Sequence, residues 1–374
     1  MKKIILAPNA FKGSLSATEV AIALEKGLRL GGFTGNIHCC PVGDGGDGTG
    51  DLLRNYLKAN SFFMPVQNPI GKLTKAPIGW IASSHTAIIE MADASGLRLL
   101  NPQEYNPLKA SSFGLGQLIK AALDREAREI IICIGGSATV DGGVGMLAAI
   151  GIRFINKFGG LCDPDPVGIQ SLETIDTTTL DPRIHRTKLV VLCDVKNKLL
   201  GPNGAATVFG PQKGANPDVV NMLENSLTHL DKIVFKQTSA NMRALPFGGA
   251  AGGVAAALNI FCNASLVEGI DYFLQCIHFD EILEDADWVI TGEGAIDAQT
   301  LEGKAPFGVA KMAKKKHIPV IAVAGSISEV SQSRLGKYFQ QIININQHHT
   351  TLKEAIRNTR KNLIKTASEL KIAD

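Results

Sequence analysis

Acidic residues recur within glycine-rich segments of this chain, and that pairing is the first sign of its chemistry. The glycine-rich segments cover residues 43–50, 135–145, 248–253 and 291–297, and all but the third contain an acid. Glycine accounts for 39 of 374 residues, about 10%, against roughly 7% in ordinary globular proteins. The excess has no G-X-Y period and accompanies many aliphatic residues, so collagen and low-complexity disorder are excluded.

Glycine between a strand and a helix lets the backbone approach a ligand and point its N–H groups at an oxyanion. Acids in the same turn would repel a phosphate unless a cation lay between them, so the pattern indicates Mg²⁺ together with a phosphate. Phosphoryl transfer also needs fixed positive charge, and Lys12, Lys213 and Lys304, each adjacent to a glycine, can supply it. The residues therefore predict a phosphate and magnesium site.

Glycine-rich segments also occur in other kinds of site. A single glycine-rich segment can be a tight turn whose Asp caps a helix. Residues 43–48 and 143–148 match the dinucleotide expression, but the first lacks an acid after the next strand and the second lies in a helix-forming stretch, so an NAD site is rejected. The Gly303-Lys304 pair lacks the rest of a Walker A loop, and no G-x-S-x-G elbow for a serine hydrolase is present.

The elements that position these residues follow an α/β pattern. Short aliphatic runs predict strands at 3–7, 37–41, 129–134, 188–193, 287–291, 319–324 and 341–345. Amphipathic helices are predicted after the capping box Ser16-x-x-Glu19 and over 115–123 and 220–234. The alternation predicts largely parallel sheets, whose ligands bind at the carboxyl ends of the strands, where the glycines fall. Residues 62–100 instead indicate antiparallel strands.

Composition limits the partners and the compartment. A formal charge of +3 gives no reason to expect nucleic acid or an anionic membrane as partner. No apolar run approaches the roughly 20 residues of a membrane helix, and the apolar start predicts a buried strand rather than a signal peptide. Seven cysteines without C-x-x-C spacing predict a cytoplasmic protein with no zinc site and no disulfide framework.

Ordered blocks along nearly the whole chain resemble the bacterial glycerate kinases of the type-1 family. These blocks are residues 7–17, 43–49, 106–108, 135–143, 193–195, 200–202, 209–215, 249–253, 291–294, 297, 299–300, 303–306 and 324–326. The chain departs from the family pattern at Asn9-Ala10, where Asp-Ser is usual, at Asp47 for Glu, at Val140 for Asn and at Ala295 for Arg. The loss of this arginine would alter anion binding. It therefore affects the expected identity of the substrate more than the expected class of reaction.

The resemblance implies ATP-dependent phosphorylation of D-glycerate, with 2-phosphoglycerate favoured over 3-phosphoglycerate as product, in a cleft between two unlike α/β domains. A flavodoxin-like domain with three layers and a mainly parallel sheet would comprise residues 1–65 and 275–374, and a central mixed-sheet domain residues 66–274. Residues 106–150 fit either domain. The alternatives are a kinase of another small hydroxy acid and a non-catalytic sugar-acid sensor, which the many acids disfavour. A monomer and a homodimer both stay open.

Roles for individual residues follow as hypotheses. Asp194 or Asp297 would accept the proton of the attacking hydroxyl, and the three lysines named above would neutralise charge on the transferred group. Asp44, Asp141 and Glu293 would hold Mg²⁺ or orient the substrate. The phosphates and the glycerate carboxylate would be bound by Ser14, Gly45, Gly46, Thr49, Gly136, Ser137, Thr139, Gly292 and Gly294.

Overall fold

The computed structural model describes residues 1–297, 303–328, 335–346 and 350–371. The chain forms two compact units: the first unit comprises Met1–Asp44 with Glu268–Asp374, and the second unit comprises Gly45–Val267. Gln299 and Thr300, which belong to the resemblance, lie outside the described residues.

Strands and helices alternate along most of the chain. The strands are β1 (Lys3–Leu6), β2 (Asn36–Cys39), β3 (Asn60–Gln67), β4 (Leu73–Ile81), β5 (Thr86–Glu90), β6 (Glu129–Cys133), β7 (Arg153–Asn156), β8 (Leu172–Asp176), β9 (Lys188–Cys193), β10 (Ser265–Glu268), β11 (Trp288–Ile296), β12 (Val320–Ile327) and β13 (Gln341–Asn344). The α-helices are α1 (Ala17–Leu30), α2 (Thr49–Tyr56), α3 (Met91–Ser95), α4 (Phe113–Asp124), α5 (Val144–Ala149), α6 (Pro166–Ile169), α7 (Ala205–Phe209), α8 (Pro217–Thr238), α9 (Val254–Cys262), α10 (Gly269–Cys276), α11 (Phe279–Ile282), α12 (Ala305–Lys315) and α13 (Leu352–Ser368).

The first unit is built on a parallel sheet with the strand order β13-β12-β11-β1-β2. Read from the β2 edge and counted within the unit, this is the order 2-1-3-4-5 of flavodoxin-like folds. Ile4, Ile290 and Val323 of the sheet form a buried cluster with Leu24 of α1 and Leu363 of α13. The flavodoxin-like class and its mainly parallel sheet are thereby confirmed.

The second unit contains a six-stranded mixed sheet and a separate antiparallel pair, β7 and β8. The six strands have the order β10-β9-β6-β5-β4-β3, in which β5, β6 and β9 are parallel and β3, β4 and β5 pair antiparallel. Ile89, Ile132 and Val191 of the sheet are fully buried with Leu118 of α4 and Leu227 of α8. The predicted mixed sheet is confirmed, and its antiparallel strands β3, β4 and β5 cover residues 60–90, close to the expected segment 62–100.

The boundaries of the units differ from the domain boundaries predicted at 65 and 275. Residues 60–67 form β3, which pairs with β4 along its whole length, from Asn60↔Trp80 to Gln67↔Leu73, and so belongs to the second unit. The segment 106–150, left open by the sequence, also lies in the second unit, where α4, β6 and α5 contribute to the core.

The glycine-rich segment 291–297, expected as a loop after a strand, is largely part of that strand. β11 continues to Ile296 and pairs in parallel with β12, from Val289↔Val320 to Ile296↔Ile327. The neighbouring strand satisfies backbone N–H and C=O groups here, and this pairing outweighs the turn tendency of Thr-Gly-Glu-Gly.

Three further features correspond to signals in the sequence. The capping box at the start of α1 is present, because Ser16 Oγ accepts from the Glu19 N–H at 3.3 Å and Glu19 Oε2 accepts from the Ser16 N–H at 3.0 Å. All seven cysteines are free thiols. In the described ranges, no helix combines the length and apolar character needed to cross a membrane.

Candidate active site

In the first unit, the loop after β1 is fixed to the neighbouring strand and to the loop after β2. The Asn9 N–H donates to the Gly292 carbonyl of β11 at 2.8 Å, and Asn9 Nδ2 donates to Asp44 Oδ2 at 3.0 Å. The Asp44 side chain is buried. Strand order reverses between β1 and β11, which is where doubly wound sheets bind ligands. Asn9, which differs from the usual family residue, thus orients one of the predicted metal ligands.

The segment carrying Lys12 and Ser14 follows the same strand end. Lys12 is exposed, and the backbone of Gly294 in β11 lies beside the Phe11-Lys12 backbone. The Ser14 hydroxyl donates to the Ile356 carbonyl of α13 at 2.9 Å. Lys12 is therefore accessible to a ligand, whereas the hydroxyl proton of Ser14 is donated to a backbone carbonyl within the first unit.

The remaining first-unit candidates lie on or after β11. Glu293 is buried within the strand beside Gly292. Asp297 directly follows β11, and its Oδ1 lies 3.4 Å from Nζ of Lys304, the residue that precedes α12. Both side chains of this ion pair are partly exposed, so a carboxylate and an ammonium are both presented near the strand end.

In the second unit, the Gly45–Thr49 turn lies on the carboxyl ends of β6 and β9. Gly45 has φ +95°, and a Cβ on it would lie 2.7 Å from the Leu192 carbonyl oxygen of β9. The Gly135 N–H, just beyond β6, donates to the Gly45 carbonyl at 2.9 Å, and a Cβ on Gly135 would lie 2.4 Å from the Gly46 Cα. The two glycine-rich segments can approach this closely because Gly45 and Gly135 have no side chains.

Lys213 is a buried ammonium that reaches the same glycine-rich loop. Its Nζ donates to Ser137 Oγ at 2.8 Å and to the Thr139 carbonyl at 2.7 Å, and Lys213 is only 2% exposed. The Gly136 carbonyl accepts from the Leu97 N–H at 2.9 Å. Thr139 Oγ1 is buried and has no hydrogen-bond partner in the described part of the chain. This loop is thus held by a fixed positive charge.

Asp141 is engaged by the protein's own donors. Its Oδ2 accepts from the Ser112 N–H at 2.8 Å, from Ser112 Oγ at 2.7 Å and from the Gly145 N–H at 3.3 Å, and its Oδ1 accepts from the Gly143 N–H at 3.1 Å. Burial raises the pKa of Asp141, opposed by these hydrogen bonds. The geometry favours a positioning role at the start of α5 over the predicted contact with Mg²⁺.

Asp194 directly follows β9 and is half-buried. It lies two residues beyond Leu192, whose carbonyl is next to Gly45. The candidate base and the Gly45–Thr49 turn are thus at the same end of the parallel strands of the second unit.

The sequence prediction missed a group of charged residues around the start of α2. Glu90, at the end of β5, accepts from the Gly48 N–H at 2.6 Å and from the Gly50 N–H at 2.9 Å. Asp93 pairs with Arg98 and, at 3.4 Å, with Arg54. Burial raises the pKa of Asp93, although both arginines oppose the shift. The sequence contained one signal for this group, because Glu90 is an acid at the end of the buried segment Thr-Ala-Ile-Ile-Glu.

The predicted residues divide between the two units. The first unit contains Lys12, Ser14, Asp44, Gly292, Glu293, Gly294, Asp297 and Lys304. The second unit contains Gly45, Gly46, Thr49, Gly136, Ser137, Thr139, Asp141, Asp194 and Lys213. Among the described residues, no group of three or more His, Cys, Asp and Glu side chains could by itself hold a metal ion. Mg²⁺ commonly binds one or two carboxylates with phosphates and water, which the buried Asp44 and Glu293 still fit.

Comparison with known proteins identifies the family. The model of the glycerate kinase family matches residues 4–373. The chain is 41% identical to the glycerate kinase of Bacillus subtilis over 98% of this chain and 96% of that one, and 40% identical to the glycerate 2-kinase of Escherichia coli K12 over 98% and 97%. A solved structure of a candidate glycerate kinase 2 from Salmonella typhimurium LT2 superposes with a TM-score of 0.78 at 40% identity, over 98% and 96% of the two chains.

These matches define the class as a kinase with a small-molecule substrate. The chain belongs to the glycerate kinase family.

Proposed function

We propose that this protein transfers the γ-phosphoryl group of ATP to a hydroxyl of D-glycerate in the presence of Mg²⁺. The observation that carries the proposal is the buried ammonium of Lys213, held by Ser137 and the Thr139 carbonyl within a glycine-rich loop. A pre-positioned cation beside backbone amides stabilises anionic groups without reorganisation when charge develops. Membership of the glycerate kinase family supports ATP and glycerate as the reactants.

The covalent change is a displacement at phosphorus. The glycerate hydroxyl oxygen attacks the γ-phosphorus of ATP, and the bond from that phosphorus to the β-phosphate bridging oxygen breaks, with its electron pair leaving on ADP. The hydroxyl proton passes to Asp194 or Asp297. Positioning and charge neutralisation supply most of the catalysis in such reactions.

The binding roles follow the two groups of residues. Lys213 with the loop Gly136–Thr139 and the Gly45–Thr49 turn would bind one set of anionic groups, and Lys12 and Lys304 would neutralise another. Mg²⁺, when bound, would neutralise phosphate charge, with Asp44 and Glu293 as its proposed ligands. A reaction site in a cleft between the two units stays a prediction from the family resemblance.

A coupled assay of ADP release with ATP, Mg²⁺ and D-glycerate tests the proposal. We expect turnover that depends on D-glycerate and that falls at least 10²-fold in Lys213→Met. Lys188→Met, which removes a largely exposed lysine paired with Glu129, is the matched control and should stay within twofold. Binding of D-glycerate without ADP release would instead identify a sensor.

The favoured product is 2-phosphoglycerate. The relative from Escherichia coli is named a glycerate 2-kinase, and it covers nearly the whole chain. NMR of the product distinguishes phosphorylation at carbon 2 from phosphorylation at carbon 3. A signal from 3-phosphoglycerate alone would contradict this assignment.

A kinase of another small hydroxy acid is the second candidate. Ala295, where an arginine is usual in the family, is exposed near the end of β11 and bears on anion selection. A panel of hydroxy acids tests this candidate, and turnover with D-glycerate at least tenfold above the others would exclude it. The free cysteines support a reducing, cytoplasmic location as part of the proposal, with a monomer or homodimer both compatible.

A further inference from the structure

Glu90 is a buried acid to which the proposed reaction assigns no role. It is 1% exposed at the end of β5, directly before α3. Its two carboxylate oxygens accept separate hydrogen bonds, Oε1 from the Gly48 N–H at 2.6 Å and Oε2 from the Gly50 N–H at 2.9 Å. Glu90 therefore connects a core strand directly to the first residues of α2.

The segment held by Glu90 is the Gly45–Thr49 turn, which is fixed at its other end by different contacts. The Gly45 N–H donates to Thr49 Oγ1 at 3.1 Å, and the Gly45 carbonyl accepts from the Gly135 N–H at 2.9 Å. Gly48 adopts φ +89°, one of the many conformations open to glycine, so contacts with other residues restrict the geometry of the turn. Glu90 supplies that restraint at the end of the turn nearest α2.

We propose that Glu90 is a positioning residue that holds the Gly45–Thr49 turn in the conformation that binds substrate. The inference rests on the proposed function, because the turn is a binding element only if the protein binds phosphorylated or carboxylate ligands there. Glu90 itself touches backbone amides and needs no contact with a reactant. Its effect should thus appear in substrate binding rather than in the chemical step.

The charges around Glu90 determine when it can act. Asp93 on α3 and Asp47 in the turn are acidic neighbours, whereas Arg98 and, on α2, Arg54 are basic neighbours that pair with those acids. Burial first, and then the charge of Asp93, raise the pKa of Glu90 to about 7. Only the ionised carboxylate offers two charge-assisted acceptors to the two amides. The hydrogen bond from Gly48 favours the ionised form, so local opening of the turn with Glu90 still buried should become less favourable as the pH rises through neutrality. Global unfolding responds in the opposite sense, because it returns the Glu90 charge to water.

The variant Glu90→Gln has the shape of the neutral acid and offers a single acceptor. We expect the ratio of wild-type to variant kcat/KM for D-glycerate to be near one at pH 6 and to rise tenfold or more by pH 8.5. The rise should come from a higher KM in the variant and not from a lower kcat. Asp231→Asn is the matched control, because Asp231 is a buried carboxylate of the second unit that pairs with Arg243. A ratio that stays constant with pH, or a control that shows the same rise, overturns the proposal.

Amide hydrogen exchange of residues 46–50 tests the same role without any substrate. In the wild-type protein, exchange corrected for its intrinsic pH dependence should slow as the pH rises from 6 to 8, and Glu90→Gln should remove that change. The wild-type measurement alone decides the question if the variant does not fold. Absence of glycerate turnover would contradict the proposed function, whereas exchange that is independent of pH would contradict the role of Glu90.

Discussion

Near the carboxyl ends of their strands, both units bury charged side chains, but the first unit combines the buried Asp44 and Glu293 with accessible charges. In the second unit, Glu90, Asp141 and Lys213 are nearly inaccessible, and each makes at least two hydrogen bonds to its own chain. In the first unit, Lys12 is exposed, and the Asp297–Lys304 pair is partly exposed. The buried carboxylates Glu90 and Asp141 fix backbone segments, and buried Lys213 places a fixed positive charge beside the glycine-rich loop. The accessible side chains of the first unit are open to solvent and to ligands.

This difference shows that residue type alone does not assign a role. Asp141 and Asp297 both follow strands within glycine-rich segments, yet Asp141 is fully buried beneath four donors and Asp297 remains open to solvent. Burying a carboxylate is costly unless hydrogen bonds replace its water. An acid that has those bonds is better suited to holding a loop than to receiving a ligand.

The largest expected effect concerns the base, since the two units each contribute one candidate. We expect Asp194→Asn or Asp297→Asn to lower kcat by about 10²–10⁴-fold at saturating ATP, because one side chain that accepts a proton contributes that much. Steady-state rates of the two variants identify the unit that supplies the base. Near-full activity in both would show that neither acid has this role.

A second prediction separates loop-holding from metal binding at Asp141. Asp141→Ala leaves four buried donors without an acceptor, and the free energy of unfolding should fall by about 4 kcal/mol. Urea unfolding measures this loss. An unchanged free energy of unfolding combined with a raised Mg²⁺ requirement would instead support a metal ligand and weaken the comparison between the units.

The third prediction concerns the stability cost of the buried Glu90 charge. Because its pKa is raised to about 7 from an ordinary 4.5, the folded state binds the proton more tightly than the unfolded state. This tighter proton binding adds to the free energy of unfolding below pH 4.5. The contribution is lost as the pH rises through 7, by up to roughly 3 kcal/mol. Urea unfolding at pH 5 and pH 8 should show this loss in the wild type and not in Glu90→Gln. Equal losses in both proteins would contradict it.

The smallest expected effect is at Ser14 in the first unit. Ser14→Ala removes the hydrogen bond to the Ile356 carbonyl at a half-buried position, and the free energy of unfolding should fall by about 1 kcal/mol. If the hydroxyl serves only this contact, the KM values for ATP and D-glycerate should stay within twofold. A tenfold rise in either KM would restore Ser14 as a binding residue.

Much of the fold was predictable because its local signals agree with its packing. The predicted helix over 115–123 lies within α4, and the helix over 220–234 lies within α8. Their apolar faces are buried, as the 3.6-residue period requires. The strands β7, β8 and β10 were not predicted; each has only four or five residues.

The candidate site was predictable in its residues but not in its contacts. The glycines of 43–50 and 135–145 were recognised, yet their meeting at Gly46 and Gly135 depends on segments nearly a hundred residues apart. Glu90 gave no periodic or motif signal beyond its place at a strand end. Its proposed role depends on the Gly48 and Gly50 N–H groups at the start of α2, which donate to its carboxylate at the end of β5.

The amino-acid sequence is sufficient to indicate the family, the α/β alternation and the set of acids, glycines and lysines available for phosphoryl transfer. Which of these charges are buried and which stay accessible depends on the folded chain. Burial sets the energetic cost of each charge, and the hydrogen bonds that offset this cost come from residues distant in the chain. Asp141, Glu90 and Lys213 owe their environments to such long-range contacts, which no local pattern encodes.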